Sequence, residues 1–340
     1  MAGRRLVLAA GLVARRDPGR SRNPAPQLLA YRTFVARPHE SSPPFPHALR
    51  DAILAWYDAS GREIPFRGVI DPYAILVSES MAQQTQVMRA AAYWRAWMVQ
   101  FPTIEALASA PIADVLRAWA GLGYNRRAIH LHRAARAIVE DHGGRVPDTV
   151  EGLQTLPGIG PYTARAVAAI AFGRAVGAVD VNVRRVLARA VAGDADALAP
   201  AALQALADAA VPPDRPADWT HAVMDVGARF CRATPRCAGC PAVALCRHAA
   251  ALATGERRDP DPGRPAALRP IPFPETSRWL RGRLLAGARA ASANGWTRYD
   301  PPIGAHGHVA VREALASLAA DGLLEVRDLD GSPEARLPQG

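Results

Sequence analysis

A glycine–proline hairpin near the middle of the chain constrains the fold more than any other segment. The stretch Leu156–Pro161 (LPGIGP) sets Gly158 and Gly160 around one apolar residue, between two apolar segments of helical length. Glycine allows a turn this tight, and Pro161 suits the first turn of the second helix, where no amide hydrogen is needed. The unpaired amides and the positive end of that helix would bind an anion such as a nucleic-acid phosphate. The alternative is an ordinary turn between two helices.

The charge of the chain favours a polyanionic partner. Its 340 residues include 41 arginines and no lysine against 31 Asp and Glu, which gives a net charge of +10 and a pI near 10.3. This excess of positive charge is typical of proteins that bind nucleic acids. Net charge predicts the kind of partner that a protein binds, but it does not predict the fold. Because the chain has no lysine, a lysine nucleophile or a Schiff-base lysine is excluded.

Hydropathy and cysteine usage indicate a cytoplasmic protein that does not enter a membrane. No apolar run approaches the length of a membrane span, and the N-terminal stretch lacks the long apolar core of a secretory signal. All the cysteines lie within one short segment, which is typical of a cytosolic metal site and not of a disulfide scaffold.

Two carboxylates are candidates for acid–base chemistry. Apolar periodicity predicts one helix over residues 73–89, in which Glu79, Gln83 and Gln86 share a face at i, i+4 and i+7. A carboxylate that follows an almost wholly apolar turn and shares its face with amides indicates a cleft-lining group, and the alternative is a solvated side chain. Asp180 precedes a further predicted helix. It would cap that helix or serve an active site, and the two roles are compatible because a helix N-terminus stabilises a carboxylate.

The cysteines predict an iron–sulfur cluster. Gaps of five, two and five residues separate Cys231, Cys237, Cys240 and Cys246. Structural zinc commonly pairs two Cys-x2-Cys knuckles on separate loops, whereas this chain has only one knuckle. A compact run of four thiolates, with a proline directly after Cys240, suits a 4Fe-4S cubane cluster better. Zinc is the alternative.

Composition divides the chain into five parts. Residues 1–45 are rich in Arg, Pro and Ser and predict a disordered basic arm. Amphipathic helices follow over 46–230, and the cysteine loop covers 231–250. Prolines and charges over 251–275 indicate a linker. Residues 276–340 contain two helical patterns and a following strand, which predict a small winged-helix-like unit.

Three motifs in this order resemble those of the helix-hairpin-helix DNA glycosylases and, within that superfamily, the adenine DNA glycosylase (MutY) family. They are Ser78–Val87 (SESMAQQTQV), Gly121–Tyr124 (GLGY) and Val179–Val183 (VDVNV), and the resemblance covers about residues 46–250. It implies an all-α, two-lobed helix-hairpin-helix fold with a 4Fe-4S loop. It also implies a monomeric, monofunctional enzyme of base excision repair that removes adenine opposite 8-oxoguanine or guanine from double-stranded DNA.

The resemblance also implies roles for individual residues. Glu79 would protonate the leaving adenine and then activate water, and Asp180 would stabilise the oxocarbenium-like sugar. Tyr162, assigned to the same catalytic set, stands where lyase-type relatives carry a lysine. Asn182 would support the two acids, and Arg67 would line the pocket that holds the adenine. Gln83, Gln84 and Tyr124 would fill the gap that the adenine leaves in the duplex. The DNA backbone would be contacted by Gly158, Gly160 and Arg236.

Several positions depart from the family pattern. The first cysteine gap is five residues where six is usual, Ala82 replaces a usual Leu, Phe66 replaces a usual Trp, and Pro161 replaces a common cation. Residues 255–340 bear no resemblance to the Nudix-like domain with which many members read 8-oxoguanine. Two other functions therefore stay open. One is a thymine or uracil mismatch glycosylase on the same scaffold, and the other is a non-catalytic, DNA-binding iron–sulfur protein.

Overall fold

The computed structural model describes residues 45–256, 271–292 and 294–339, so nearly all of the predicted basic arm and much of the predicted linker lie outside the described residues. Within these ranges the chain forms two helical lobes and a C-terminal unit of helices and three short strands. The predicted two-lobed, mainly helical fold is confirmed. No helix in the described part of the chain is both long and apolar enough to cross a bilayer.

The first lobe surrounds a core of tryptophan and aliphatic side chains. After α1 (His47–Ser60), which belongs to the second lobe, its helices are α2 (Pro72–Ala82), α3 (Val87–Gln100), α4 (Ile104–Ser109), α5 (Ile112–Ala118), α6 (Arg126–His142), α7 (Val150–Gln154) and α8 (Pro161–Phe172). Trp97 and Trp119 meet edge to face in the core, with ring centroids 5.5 Å apart. Helix α2 runs through the lobe, and every side chain from Tyr73 to Met81 is buried.

The second lobe combines α1 with the helices that follow α8. These are α9 (Val181–Ala192), α10 (Pro200–Ala210), α11 (Pro216–Arg229), a 3-10 turn (Val243–Leu245) and α12 (Arg247–Ala253). Leu49 and Ile53 of α1 pack with Leu187 of α9 in a core separate from that of the first lobe. The boundary predicted at residue 250 falls inside α12, because this helix begins directly after Cys246 and continues the cysteine loop.

The C-terminal unit combines two helices with a three-stranded sheet, and the winged-helix-like fold expected of it stays a prediction. It contains a 3-10 turn (Phe273–Glu275), α13 (Ser277–Ala290), β1 (Thr297–Arg298), α14 (His308–Ala320), β2 (Glu325–Leu329) and β3 (Ser332–Arg336). The sheet is antiparallel in the order β1-β3-β2, with Ala335 of the central strand opposite both Thr297 and Val326. The buried residues of this unit belong to the same core as those of the first lobe, so the unit is not packed as a free-standing tail.

The predicted single helix over residues 73–89 is wrong. Helix α2 ends at Ala82, a turn follows, and α3 begins at Val87. The Nη1 atom of Arg127 donates to the carbonyl oxygens of Ser80 and Gln83, at 2.8 and 2.6 Å. A guanidinium that takes up the last carbonyls of a helix ends it without a glycine. Glu79, Gln83 and Gln86 therefore do not share a helix face.

The hairpin forms as predicted, but its two glycines differ in backbone conformation and in packing. Gly158 has φ +77°, and a Cβ atom there would collide with the His130 side chain of α6. Gly160 has φ −84° as the residue before α8, and a Cβ atom there would meet nothing within 4 Å. Only Gly158 is therefore required for conformation and close packing. Gly160 is required by neither.

We predict that Leu284→Ala destabilises the first lobe and the C-terminal unit together. Leu284 of α13 is fully buried in their shared core. Removing its branched side chain leaves a cavity that costs about 2–5 kcal/mol. Denaturant unfolding followed by circular dichroism and by tryptophan fluorescence would shift as one transition. Arg283→Ala, an exposed change on the same helix, is the control. An early separate transition in Leu284→Ala, with the main transition unmoved, would contradict a shared core.

Candidate active site and cysteine loop

The Glu79 carboxyl group is buried in the apolar interior of α2. It is 8% exposed, and the Tyr162 hydroxyl donates to its Oε2 atom at 3.2 Å. The pKa of Glu79 is raised to about 7, chiefly by burial and also by the nearby Asp180 charge, against the lowering effects of the Tyr162 hydrogen bond and the Arg67 charge. A carboxyl group with this pKa holds a proton near neutral pH and can deliver it to a leaving group.

Tyr162 lies in the first turn of α8, directly after the hairpin. Burial, and then the charges of Glu79 and Asp180, raise its pKa well above the ordinary value, so the phenol keeps its proton. Its hydroxyl also lies 3.7 Å from the Met224 sulfur of α11. The hairpin thus fixes a hydrogen-bond donor against Glu79, and this places the site where α2, α8 and α11 meet.

Asp180 forms the N-cap of α9. One carboxylate oxygen accepts from the backbone N–H groups of Asn182 and Val183, at 2.8 and 2.7 Å, and the other accepts from the Asn182 side chain at 2.8 Å. Gly227 on α11 leaves room for Asn182, because a Cβ atom there would overlap the Asn182 Cβ. The capping role and the active-site position predicted for Asp180 therefore coincide.

Arg185 connects this cap to the cysteine loop. Its Nη2 atom donates to the Asn182 side-chain oxygen at 2.6 Å, and its Nε atom donates to the Cys231 carbonyl at 2.9 Å. A chain of hydrogen bonds thus runs from Cys231 through Arg185 and Asn182 to Asp180. Sequence reasoning missed Arg185, although it lies three residues after Asn182 and therefore on the same side of the helix.

Arg67 lies at the edge of the site, and both of its terminal nitrogens donate hydrogen bonds within the protein. Both Nη atoms donate to the Asp225 carboxylate, at 2.8 and 2.7 Å, and Nη1 also donates to the Arg62 carbonyl. Asp225 is 1% exposed. Its burial would raise its pKa, but hydrogen bonds from Arg67 and Arg62 outweigh burial and hold the pKa below its usual value. The predicted pocket arginine is thus a fixed charge near Glu79, and Asp225 was not found from the sequence.

Gln83, Gln84 and Tyr124 come together beside the helix break. The Gln83 side chain donates to Thr163 Oγ1 at 2.9 Å, next to Tyr162. Gln84 and Tyr124 both have positive φ angles, 54° and 46°, a backbone conformation that residues other than glycine rarely adopt. The Tyr124 residue is 46% exposed. These residues form a strained edge where the α2–α3 turn meets the GLGY turn, and their entry into a gap in the duplex stays a prediction.

Arg127 holds that edge in place, a role that the sequence did not reveal. Arg127 points inward, bonds the carbonyl groups at the end of α2, and lies 5.2 Å from the Trp119 ring and 5.5 Å from the Tyr124 ring. Burial lowers its pKa. It is a structural residue of the turn.

The four cysteines line one small cavity against α9 and α11. Burial raises the pKa of Cys240 to about 11 and also raises that of Cys246. Arg189 of α9 is buried beside them, donating to Cys231 Sγ at 3.6 Å and to the Ala233 carbonyl at 3.0 Å. In the described ranges, no three His, Cys, Asp or Glu side chains converge as ligands of a single metal ion. Arg236, predicted to contact the DNA backbone, is exposed on the same loop.

Comparison with known proteins gives the family. Residues 77–210 match the model of the HhH-GPD superfamily base excision DNA repair protein. The chain is 46% identical over 287 residues to the adenine DNA glycosylase of Mycobacterium tuberculosis (strain H37Rv), covering 82% of this chain and 90% of that relative. The chain belongs to the adenine DNA glycosylase family. A second relative, from Mycolicibacterium smegmatis, is 43% identical over 277 residues, covering 80% of this chain and 91% of its own length.

Other members and solved structures match this adenine DNA glycosylase family chain over its helical lobes. The human adenine DNA glycosylase is 45% identical over 213 residues, which cover 59% of this chain and 39% of the human protein. A thermostable thymine-DNA glycosylase superposes with a TM-score of 0.57 and 30% identity, over 60% of this chain and 96% of that one. A trapped endonuclease III–DNA covalent intermediate, at 22% identity and a TM-score of 0.53 over 62% of this chain and 97% of that one, shares the fold.

We predict that Glu79→Gln removes a pH-dependent loss of stability. Below the unfolded pKa of 4.5 the carboxyl is protonated in both states. Between pH 4.5 and about 7 the unfolded chain releases the proton while the folded one keeps it, so the free energy of unfolding falls as pH rises. A shift of this size corresponds to on the order of 3 kcal/mol. Glu79→Gln would therefore gain stability relative to wild type between pH 5 and pH 8, measured by urea unfolding.

The exposed Glu313→Gln on α14 is the control for this measurement and would show a constant difference from wild type over the same pH range. A constant difference for Glu79→Gln as well would mean that the carboxyl titrates as it does in water.

Proposed function

We propose that this protein is a monofunctional adenine DNA glycosylase of base excision repair, which hydrolyses the N-glycosidic bond of adenine in mispaired duplex DNA. The observation that carries the proposal is the buried Glu79 carboxyl, with its pKa raised to about 7, facing Tyr162 and close enough to Asp180 to feel its charge. The names of the curated relatives support adenine as the base.

The two acids support a hydrolysis in two steps. Glu79 donates its proton to N7 of adenine while the bond between C1′ and N9 breaks, so that adenine leaves as a neutral molecule. The deoxyribose is left with oxocarbenium character, and the Asp180 carboxylate stabilises that positive charge. Glu79, now ionised, accepts a proton from water as the water oxygen bonds to C1′. The products are adenine and an abasic site, and Glu79 regains its proton.

The surroundings divide the roles of the two acids. Glu79 sits among apolar side chains of α2 and holds a proton near neutral pH, whereas Asp180 accepts three hydrogen bonds at the start of α9. Asn182 is a positioning residue, since it orients Asp180 and is itself held by Arg185. Because the chain has no lysine, a lysine imine cannot form with the abasic site, and Tyr162 stands where lyase-type relatives carry that lysine.

The substrate that we propose is duplex DNA in which adenine lies opposite 8-oxoguanine or guanine, bound by one monomer in the cytoplasm. An adenine can reach the buried Glu79 only outside the base stack. Gln84 and Tyr124 stand where they would fill the gap. The amides around Gly158 and Gly160, at the start of α8, and the exposed Arg236 would contact phosphates.

We also propose that Cys231, Cys237, Cys240 and Cys246 hold a 4Fe-4S cluster. Four thiols that line one cavity, with a single Cys-x2-Cys pair and a proline after Cys240, fit a cubane cluster better than zinc. The cluster would supply structural cross-linking of the loop. This chain's own Arg189 and Arg185 then tie that loop to α9 and thereby to Asp180.

We predict that wild-type protein releases adenine from A:8-oxoguanine and A:G duplexes under single-turnover conditions, with a rate that falls as pH rises through about 7. Alkali would convert each abasic site to a strand break, and borohydride would trap no adduct. Glu79→Gln would be slower by at least about 100-fold, because the general acid is lost. Breaks only at T or U in T:G and U:G duplexes would instead support a thymine or uracil mismatch glycosylase.

Retained adenine release by Glu79→Gln would contradict the role of Glu79. Release from no duplex, with binding intact, would favour a non-catalytic DNA-binding protein.

We predict that the purified protein contains iron and acid-labile sulfide and absorbs visible light. Cys240→Ser would lower both contents and reduce the free energy of unfolding, because the loop loses one of its attachment points. Elemental analysis and denaturant unfolding measure the two effects, and Ser317→Ala, remote from the cysteine loop in sequence and in the C-terminal unit, is the control. Stoichiometric zinc in a colourless protein would contradict the cluster.

A further inference from the structure

We propose that α13 of the C-terminal unit, together with the Gly121–Tyr124 turn, binds the DNA strand opposite the one that carries the extruded adenine. The proposal rests on the proposed function for the identity of the extruded base, but it assigns a binding surface to a part of the chain for which the family resemblance gives none. The occupant is a nucleic-acid strand, and the groove that receives it lies between the first lobe and α13.

The groove has a volume of about 1110 Å3. One wall is the strained edge already described, with Gln84, Tyr124 and the glycines of the GLGY motif. The other wall is α13, and the exposed Phe273 is among the apolar residues that line the groove. Bases and sugars offer apolar and π surface to such side chains, while their phosphates need cations at the rim.

One face of α13 lines this groove. Arg278, Arg281, Gly282, Ala286 and Arg289 follow one another at helical spacings of three, one, four and three residues. The adjacent side of the helix is buried in the shared core and carries Leu280, Leu284, Leu285 and Ala288. The packing of the leucine side chains in the core thus holds the arginine-bearing face of α13 toward the groove. The helix needs no rearrangement to expose these arginines there.

The groove is strongly cationic. Arg126, Arg127, Arg278, Arg281 and Arg289 line it, and the only carboxylate among its lining residues in the described chain is Asp321. Asp321 is neutralised by Arg281 at 2.6 Å, with the Arg126 side chain 3.6 Å away. A surface with this excess of arginine attracts a polyanion and releases counterions when phosphates bind.

Arg278 is the residue best placed to act on DNA. Its guanidinium lies over the Tyr124 ring, 4.9 Å from the centroid, and no carboxylate in the described ranges pairs with it. The Tyr124 ring, which also contacts Arg127, holds the Arg278 guanidinium at the rim of the groove, where its charge meets a phosphate. Arg289 joins the two walls by donating to the Asn125 side chain at 2.8 Å.

The second helix of a helix-turn-helix unit is usually the one that enters DNA, but α14, the second helix of the C-terminal unit, is poorly suited to this. Its single arginine, Arg312, is paired with Asp328 and donates to the Gly331 carbonyl, and Glu313 cancels its charge. Val309 is 71% exposed near the start of α14. Four arginines of this unit lie on α13, whereas Arg298, Arg327 and Arg336 of the strands are each paired with a carboxylate, so this unit presents its first helix.

The position of the turn between α2 and α3 indicates which strand the groove holds. Gln83 faces the active site through its bond to Thr163, and Gln83 and Gln84 also line the groove. Neither Glu79 nor Asp180 lines it. The turn therefore separates the two sites. A base pair opened at this edge sends its adenosine toward Glu79 and leaves the partner strand on the side of α13.

Two substitutions in the full chain test this assignment in a Glu79→Gln background, which keeps the duplex intact. Arg278→Gln removes the charge at the groove, and the exposed Arg283→Gln on the same helix, outside the groove and beside Trp279, is the matched control. Gly282→Leu places a side chain in open groove space, since a Cβ there meets nothing within 4 Å. Gly282→Ala is its control, because alanine gives the same gain in helix propensity with little bulk.

Binding to an A:8-oxoguanine duplex is measured against salt concentration, with hydroxyl-radical footprinting of each strand. Arg278→Gln would lower the salt slope by about 1 and lose protection of the strand opposite adenine, while protection of the adenine strand stays. Gly282→Leu would lose the same protection, and the controls would lose none. If both groove variants protect the opposite strand as their controls do, or lose protection only on the adenine strand, the assignment is wrong.

Adenine release by the wild-type protein is measured on the same duplex in parallel. This measurement tests the proposed glycosylase activity separately from the proposed binding of the opposite strand in the groove. Release with unchanged footprints in the groove variants would overturn the groove assignment alone. Absence of release would overturn the proposed function, and the footprints would still decide the groove.

Discussion

The site depends on the cost of burying one carboxyl group in an apolar helix. Water is excluded from Glu79 by the packing of α2 through the first lobe, and the group is left with one hydrogen bond, from Tyr162. Such a carboxyl keeps its proton because ionisation without solvation is unfavourable. The stability lost by this burial is what makes the residue an acid near neutral pH. The hairpin, α8 and the cap of α9 all serve to arrange groups around it.

A single inward-facing cation organises the boundary between this acid and the groove. Arg127 ends α2, holds the following turn and packs on two aromatic rings. Lysine would not suffice there, since the guanidinium supplies several donors in one plane. The strained conformations of Gln84 and Tyr124 persist because this scaffold over-determines them. Strain at one edge of the site is thus balanced by packing just beneath it.

Local patterns predicted much of the fold and part of the site. The hairpin, the helix-capping position of Asp180 and the mainly helical architecture follow from spacing and from the chemistry of glycine, proline and aspartate, and the structure shows each of them. The break after Ala82 could not be found this way, because the group that ends α2 comes from Arg127, some 45 residues later in the chain. The partner of Arg67 was missed for the same reason, since Asp225 lies 158 residues away. Long-range ion pairs leave no periodic signal in a sequence. The roles of the site residues toward DNA stay predictions.

The shared core of the first lobe and the C-terminal unit has a consequence for how substrate enters. A reading domain attached by a hinge must close over DNA, and that closure orders two bodies at an entropic cost. Here Leu284 and its neighbours join the two walls of the groove in one packed interior, so the width of the groove is set before DNA arrives. The duplex, and not the protein, then supplies the deformation. Recognition of this kind favours sequences and lesions that bend or unstack easily.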